Sequence, residues 1–158
     1  MLNKIILWAI FIGPWLTLFF MKKESIKRYM PAGLFATLLM LLYNVYSFNK
    51  EHWELHTVLF PSLRPLFTSG ILGAFPVITM WIFYFTYEKF WIYLMTNIIL
   101  DFMFAVFPAH YFLQDVLGIY TLKNITTWGR FFIFVTQAVL IYGYFKWQDG
   151  NYKERVTR

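Results

Sequence analysis

The hydrophobic pattern is dominated by five long apolar runs, each separated from the next by a polar or broken segment. A helix needs about 20 largely apolar residues to cross the hydrocarbon core of a bilayer, and every run is close to that length. The pattern therefore predicts one all-α domain, residues 1–158, built as an integral membrane bundle of five transmembrane helices. The predicted spans are residues 4–21, 30–48, 70–87, 90–111 and 128–147.

Composition supports a membrane protein. Hydrophobic residues make up 59% of the chain and charged residues only 14%, whereas soluble domains carry about 25% charged residues. The chain has no cysteine, which excludes disulfides, thiol catalysis and thiolate metal sites. The net charge of +6 is accounted for by basic loops beside anionic lipid. Without a soluble basic domain, we expect no nucleic-acid partner.

Basic residues predict the orientation, because cytoplasmic loops of membrane proteins are rich in lysine and arginine. If all five runs span, nine basic residues fall on one side and five on the other. The first side is predicted to be cytoplasmic, with the N-terminus outside and the C-terminus inside. The cytoplasmic group is Lys22, Lys23, Lys27, Arg28, Lys89, Lys146, Lys153, Arg155 and Arg158, and the outer group is Lys4, Lys50, Arg64, Lys123 and Arg130.

Two joins on the predicted outer side are too long to be simple loops. Residues 49–69 contain short apolar stretches interrupted by Pro61 and Pro65, and residues 112–127 contain scattered apolar side chains. The prolines make the first join too broken to span. We expect both joins to lie against the helix ends and to cap the bundle on its outer face.

Prolines also fall within the predicted spans. Pro14 and Pro76 are expected to kink the first and third helices and to open small voids in the bundle. Pro31 is expected to lie in the first turn of the second helix, where its missing N–H is tolerated.

Polar residues recur inside the predicted spans at helical spacing. Asn97 and Asp101 are four apart and therefore share one face of the fourth helix. Lipid cannot satisfy such groups, so the polar stripes are expected to face one another inside the bundle. The other stripes join residues seven apart: Thr37 with Asn44, Thr79 with Thr86, and Arg130 with Gln137 and Tyr144.

Asp101 is the most informative of these residues, because a carboxylate at membrane depth costs about 2.5–3.5 kcal/mol on insertion scales. One hypothesis is a buried ion pair, with Arg130 as the first candidate partner and Arg64 as the second. Another is that the carboxylate handles a proton or an ion. A third is that Asp101 is protonated and hydrogen-bonded to Asn97 or Gln137, since burial favours the neutral carboxyl group.

All three histidines fall on the predicted outer side of the membrane. His52 and His56 are four apart with acidic residues beside them, and zinc accepts histidine and carboxylate ligands. However, the glutamate that follows the first histidine in the zinc-protease motif is missing. His52, His56 and His110 are therefore weak candidates for a metal site. We predict no cofactor, and the chain lacks a phosphate-binding loop and a Gly-x-Ser-x-Gly motif.

The chain from Trp53 to the end of the last span resembles a group of small uncharacterised multi-pass membrane proteins of Bacillus- and Clostridium-type bacteria. The shared pattern is an outer aromatic segment with proline, a proline-containing helix, a tight inner turn, an acidic residue in the fourth helix, a glycine-containing outer segment and a tryptophan-led last helix. The last four features correspond to residues 87–94, Asp101, Gly118 and Trp128. The resemblance covers about two-thirds of the chain. It implies a multi-pass protein of the bacterial plasma membrane and no known activity.

No motif identifies a reaction or a substrate, so three functional hypotheses are carried forward. The first is a non-catalytic structural, accessory or sensing component of the bacterial plasma membrane, whose partners are the lipid bilayer and another membrane protein or a second copy. The second is a small solute or ion carrier, or a ligand-capture subunit. The third is an intramembrane enzyme that uses Asp101 or the outer histidines. The intramembrane polar site of the second hypothesis consists of Asp101, Asn97, Arg130, Gln137 and Asn44.

Overall fold

A computed structural model describes residues 1–64, 66–86 and 89–156 of the chain. These residues are mostly helical, in agreement with the predicted all-α class. The helices are α1 (Leu2–Thr17), α2 (Lys23–Asn49), α3 (Phe75–Thr86), α4 (Phe90–Ala105), α5 (Ala109–Tyr111) and α6 (Thr127–Val156). A π-helical turn, Ser69–Ala74, leads into α3, another, Phe112–Val116, follows α5, and 3₁₀ turns lie at Leu18–Phe20 and Pro61–Leu63.

Four helical stretches are long and apolar enough to cross a membrane. They correspond to the first four predicted spans and indicate a membrane protein. The fifth predicted span lies within α6, which is helical but is not one of the four. The count of five spans and the orientation of the termini therefore remain predictions. The four stretches are Leu2–Phe20, Lys23–Asn49, Ser69–Thr86 and Phe90–Val116.

Three residues used in the predictions lie outside the described residues. They are Pro65 of the first outer join, Tyr87 at the predicted end of the third span, and Arg158 among the predicted cytoplasmic charges.

Helix α2 begins earlier than predicted, so the expected place of Pro31 in its first turn was wrong. The helix starts at Lys23, and Pro31 lies inside it. Proline leaves the carbonyl four residues earlier, that of Lys27, without its helical donor. The apolar pattern begins only near Met30, whereas the first two turns are polar and carry Glu24, whose charge suits a helix N-terminus.

Small residues let α2 and α3 pack closely. A Cβ atom added at Gly33 would lie only 2.9 Å from the carbonyl oxygen of Pro76, so the two backbones nearly touch there. Ala32 and Ala36 of the same helix are also buried. Close helix approach through small residues is common in membrane bundles. The core beside this contact is aromatic and includes Tyr29, Phe83, Tyr93 and Phe145.

Helix α1 lies directly on the π-helical turn before α3. A Cβ atom at Gly73 would lie 2.6 Å from the carbonyl oxygen of Ile10, so only glycine fits. Pro76 has no N–H to offer the carbonyl of Leu72, four residues earlier. That carbonyl instead accepts a hydrogen bond of 2.8 Å from the indole Nε1–H of Trp15 in α1.

The two long joins pair with each other over one end of the bundle. Strand β1 (Trp53–Leu55) and strand β2 (Tyr120–Leu122) form a two-stranded antiparallel sheet, which we call the cap. Leu55 of β1 lies opposite Tyr120 of β2. Both are buried against Leu7 at the start of α1. Among the described residues, this sheet is the one departure from the predicted all-helical pattern. Its strands hydrogen-bond backbone groups of the two joins that are not in helices.

Candidate functional site

A pocket of about 440 Å³ lies under the cap, between α1, α2, the start of α3 and the ends of α4 and α6. This volume lies within the range of about 300–1,000 Å³ that is usual for small-molecule sites. Its walls are mainly apolar. They include Ile6, Ile10, Met40, Phe67, Ile71, Phe75, Ile78, Phe104, Leu113 and Phe134.

The local sequence explains why space is left here. Ala9 on α1 and Gly70 and Ala74 on the π-helical turn all line the pocket with little or no side chain. Pro14, one of the two predicted kink sites, lines it as well. The roof consists of Trp53 and Leu55 of β1 and Tyr120 of β2. The pocket therefore depends on the packing of the cap onto the helix ends.

Arg130 is the charged residue in the pocket wall, and it is only 6% exposed. Its Nη2 lies 2.9 Å from the carbonyl oxygen of Ala105 and 3.1 Å from that of Phe104. These carbonyls end α4, where backbone oxygens have no helical donor and the helix dipole is negative. Arg130 therefore caps the C-terminus of α4. Its guanidinium also lies over the rings of Tyr120 and Phe134, at 5.3 Å and 6.0 Å.

His110 and Tyr120 complete a buried polar cluster with Arg130. The Nδ1 atom of His110 lies 2.9 Å from Nη2 of Arg130 and 2.7 Å from the hydroxyl of Tyr120. Arginine only donates hydrogen bonds, and Nη2 has two hydrogens for three neighbouring acceptors. The tautomer of His110 therefore decides whether Nδ1 accepts a hydrogen bond or donates one to Tyr120.

Tyr120 links the two other members of this cluster. Its oxygen accepts a hydrogen bond of 3.0 Å from Nη1 of Arg130, while its O–H can donate to His110. Burial raises the pKa of the Tyr120 hydroxyl, although the charge of Arg130 opposes the rise. The hydroxyl therefore keeps its proton and remains a donor.

Three buried polar atoms at this end of the bundle make no hydrogen bond of good geometry among the described residues: Nε of Arg130, the hydroxyl of Tyr43 and Oγ of Ser47. The hydroxyls of Tyr43 and Ser47 lie close enough to interact weakly with each other, and Tyr43 lines the pocket together with Arg130. Buried polar groups normally have partners. Nε of Arg130, which can only donate, is therefore a buried donor without an acceptor among the described residues.

Asn44, by contrast, is satisfied. Its Nδ2 donates to the carbonyl oxygen of Met40 at 2.9 Å, and its Oδ1 accepts from the backbone N–H of Phe67 at 3.2 Å. Asn44 thus ties the segment before α3 to α2, and this contact holds one wall of the pocket in place.

The ion pair expected between Asp101 and Arg130 is not formed. Arg130 has turned toward the last carbonyls of α4, one turn beyond Asp101, because they offer it several acceptors at once. Arg64 does not pair with Asp101 either, and Asn97 donates its Nδ2–H to the carbonyl oxygen of Tyr93 at 2.8 Å. Oδ2 of Asp101 is buried without a hydrogen-bond partner among the described residues.

The predicted polar site is split between two cavities. Asp101, Asn97 and Gln137 line a second cavity of about 40 Å³, while Arg130 and Asn44 line the larger pocket. The smaller one has room for about two or three water molecules. The two cavities are neighbours, since they share wall residues Met40, Phe75, Ile78, Phe104 and Phe134.

The three histidines are not brought together. His56 lies 2.8 Å from Oγ1 of Thr121 at the surface, whereas His110 belongs to the Arg130 cluster. His52 packs against the rings of Tyr43 and Tyr46, and burial, followed by the charge of Lys50, lowers its pKa. Among the described residues, no group of three His, Asp or Glu side chains is placed to hold a metal ion.

Sequence reasoning missed Tyr43, Ser47 and Tyr120. Tyr43 and Ser47 are one turn apart on α2 and next to Asn44, so the polar stripe of that helix was a partial signal for them. Tyr120 lies in a join without periodicity, and nothing in the sequence connects it to Arg130.

No protein family model, curated protein or solved structure matches this chain. The resemblance to small bacterial membrane proteins therefore stays a prediction.

Proposed function

We propose that this chain is a non-catalytic membrane protein that captures a small apolar molecule from the bilayer in the pocket under the cap. The proposal includes five spans in a bacterial plasma membrane, with the N-terminus outside and the C-terminus in the cytoplasm. The distribution of basic residues supports this orientation. In this arrangement α6 is the fifth span, and the cap lies on the outer face.

The observation that carries the proposal is the pocket itself. A volume of about 440 Å³, enclosed mainly by Ile, Leu, Met and Phe side chains, suits a hydrocarbon chain and offers little to a hydrated solute. Ala9 lines the pocket and is also exposed on the lipid-facing surface of α1. We infer that a ligand dissolved in the bilayer enters beside Ala9 without crossing water.

The residues of the pocket wall favour ligand binding without catalysis. The polar side chains that line the pocket are Tyr43, Asn44, Tyr120 and Arg130, and they include no Ser, Thr, Cys, Lys, Asp or Glu nucleophile. Such a protein would act as an accessory or sensing component, with another membrane protein or a second copy as its partner.

Quenching of tryptophan fluorescence tests the proposal, because Trp53 is in the pocket wall. The protein is purified in a neutral detergent and titrated with a brominated 16-carbon alcohol, whose bromine quenches a nearby indole. The other six of the seven tryptophans give a background common to both proteins, and we expect a saturable component of the quenching that disappears in Trp53→Phe.

Pocket-filling variants provide the specificity control. Ala74→Phe and Ala9→Phe place a ring in the pocket and should weaken the quenching. Gly143→Phe adds the same bulk where a Cβ atom would meet nothing within 4 Å, and it should bind like the unaltered protein. Equal quenching in all three variants would refute capture in this pocket.

A second function, a small ion carrier, is favoured by one observation. The carboxylate of Asp101 has an oxygen without a hydrogen-bond partner among the described residues, beside a cavity that Asn97 and Gln137 also line. A carrier that uses this site should move protons or monovalent cations into proteoliposomes, and Asp101→Asn should abolish that flux. An unchanged flux in the variant would rule out this function.

A further inference from the structure

We infer that the ligand of the pocket is a single-chain amphiphile with one anionic headgroup, of the kind that a long-chain fatty acid represents, and that Arg130 and Tyr43 receive this headgroup. The inference rests on the proposed function, because it names the chemical class of the molecule that the pocket captures.

Arg130 carries a buried positive charge, since it is always protonated and is almost completely buried. Arg28 and Lys153 pair with Asp149, and Lys123 pairs with Glu54, whereas Arg130 forms no ion pair with another described residue. Buried charges are normally paired. The described groups that contact the guanidinium are carbonyl oxygens, a histidine nitrogen, the hydroxyl oxygen of Tyr120 and aromatic rings, and none of them carries a negative charge.

The group left without a partner at Arg130 is a hydrogen-bond donor. Nε of Arg130 can only donate, so what it lacks is an acceptor. The hydroxyls of Tyr43 and Ser47 can also donate, and among the described residues they interact at most weakly with each other. A carboxylate accepts several hydrogen bonds at once. A cationic headgroup would repel Arg130, and a headgroup that only donates hydrogen bonds would give Nε no acceptor.

The hydrogen bonds of Arg130 to the C-terminal carbonyls of α4 do not account for the burial of Nε and of the Tyr43 hydroxyl. The contacts of Arg130 with Phe104, Ala105, Tyr120 and His110 use its two terminal nitrogens, and Nε takes no part in them. Tyr43 makes no hydrogen bond to the C-terminal carbonyls of α4. In the structure Nε and the Tyr43 hydroxyl are covered by neighbouring side chains, so a headgroup reaches them only after a side-chain rotation.

The apolar wall specifies the rest of the ligand. The pocket beyond Arg130 and Tyr43 is lined largely by hydrocarbon side chains, including Ile6 and Ile10 of α1. A headgroup held at the polar cluster would leave its tail among these side chains, so the ligand needs one charged end and one apolar end.

The test compares headgroups on one tail. Bromohexadecanoic acid, its methyl ester and the corresponding alcohol are titrated into the protein in a neutral detergent, with the saturable quenching that depends on Trp53 as the readout. At a pH at which the free acid is ionised, we expect it to bind at least about tenfold more tightly than the ester, since a hydrogen bond to a charged group contributes about that factor.

Tyr43→Phe is the decisive variant, because the Tyr43 hydroxyl makes at most a weak contact with Ser47, so its loss should cost the fold little. It should weaken binding of the acid by about tenfold and leave binding of the ester unchanged. Tyr46→Phe is the matched control: Tyr46 is on the same helix, is 55% exposed and does not line the pocket. It should bind both ligands like the unaltered protein.

The outcomes separate the two proposals. Equal affinity for acid and ester, with no effect of Tyr43→Phe, would overturn the anionic headgroup and leave apolar capture standing. Absence of saturable binding by acid, ester and alcohol alike would overturn the proposed function itself. Vesicles of phosphatidylglycerol and of phosphatidylcholine form the last arm. Displacement of the acid by the first but not the second would overturn a single-chain ligand in favour of an anionic phospholipid.

Discussion

Arg28 near the start of α2 and Asp149 near the end of α6 form a two-pronged ion pair. Nε of Arg28 lies 2.6 Å from Oδ1 of Asp149, and Nη2 lies 2.8 Å from Oδ2. Asp149 is only 3% exposed, and Lys153, one turn further along α6, lies 3.5 Å from the same carboxylate. The pair joins α2 to α6 at the end of the bundle opposite to the cap.

Asp149→Asn should therefore destabilise the fold. Removal of one partner of a buried ion pair typically costs about 3–5 kcal/mol, because the remaining charge loses the attraction that offset its burial. We expect a lower melting temperature in detergent, and a double-mutant cycle with Arg28→Gln should show strong coupling. The exposed pair of Glu54 and Lys123, 2.7 Å apart, serves as the control, and its disruption should leave the melting temperature unchanged. Additive losses in the cycle would contradict direct pairing.

The same pair predicts a dependence of stability on pH. Burial alone would raise the pKa of Asp149, but the hydrogen bond and charge of Arg28 outweigh it and hold that pKa below its usual range. A carboxylate with a lowered folded pKa stabilises the fold fully above its unfolded pKa, about 4, and the stabilisation is lost as the pH falls through the folded value. The melting temperature should fall more steeply below about pH 4 than it does in Asp149→Asn. Parallel curves for the two proteins would contradict this account.

Gly73→Ala tests the contact of α1 with the π-helical turn. The new Cβ atom would lie 2.6 Å from backbone atoms of both Ile10 and Phe11, and backbone cannot rotate away as a side chain can. Such overpacking typically costs about 1–3 kcal/mol, so the melting temperature should fall. Gly143→Ala has open space around its Cβ atom and should be neutral or slightly stabilising, because alanine favours helix. Equal behaviour of the two variants would disprove the tight contact.

Asp101→Asn distinguishes the observed geometry from the pair that the sequence suggested. A true pair with Arg130 would make the variant strongly destabilised. Because Arg130 instead donates to the carbonyl oxygens of Phe104 and Ala105, we expect the variant to be as stable as the unaltered protein or more so. Combination with Arg130→Gln should give additive changes in melting temperature. A rescue of Asp101→Asn by Arg130→Gln would show that the two charges do interact.

The membrane helices could be predicted because hydropathy is a local property of the chain. Each of the first four runs is apolar over the length that a bilayer requires, and each is mostly helical in the structure, although the fourth is interrupted at residues 106–108, between α4 and α5. The ends of the helices were harder to predict where the apolar pattern and the proline positions suggest one boundary and the tertiary contacts favour another. At Pro31, the polar turns that precede the apolar run belong to α2 as well, and the contacts of that helix with the rest of the bundle override the preference of proline for a helix start.

The sequence by itself determined that long apolar helices are joined by two capping segments, and that the spans carry polar residues at helical spacing. Tertiary structure alone decided what those residues contact. A long arginine side chain pairs with the acceptors that surround it in space, and for Arg130 these are the end of α4, His110 and Tyr120, the last from a join without any periodic signal. The pocket, likewise, is space that α1, the π-helical turn and the cap enclose only when packed together, so no local pattern encodes it.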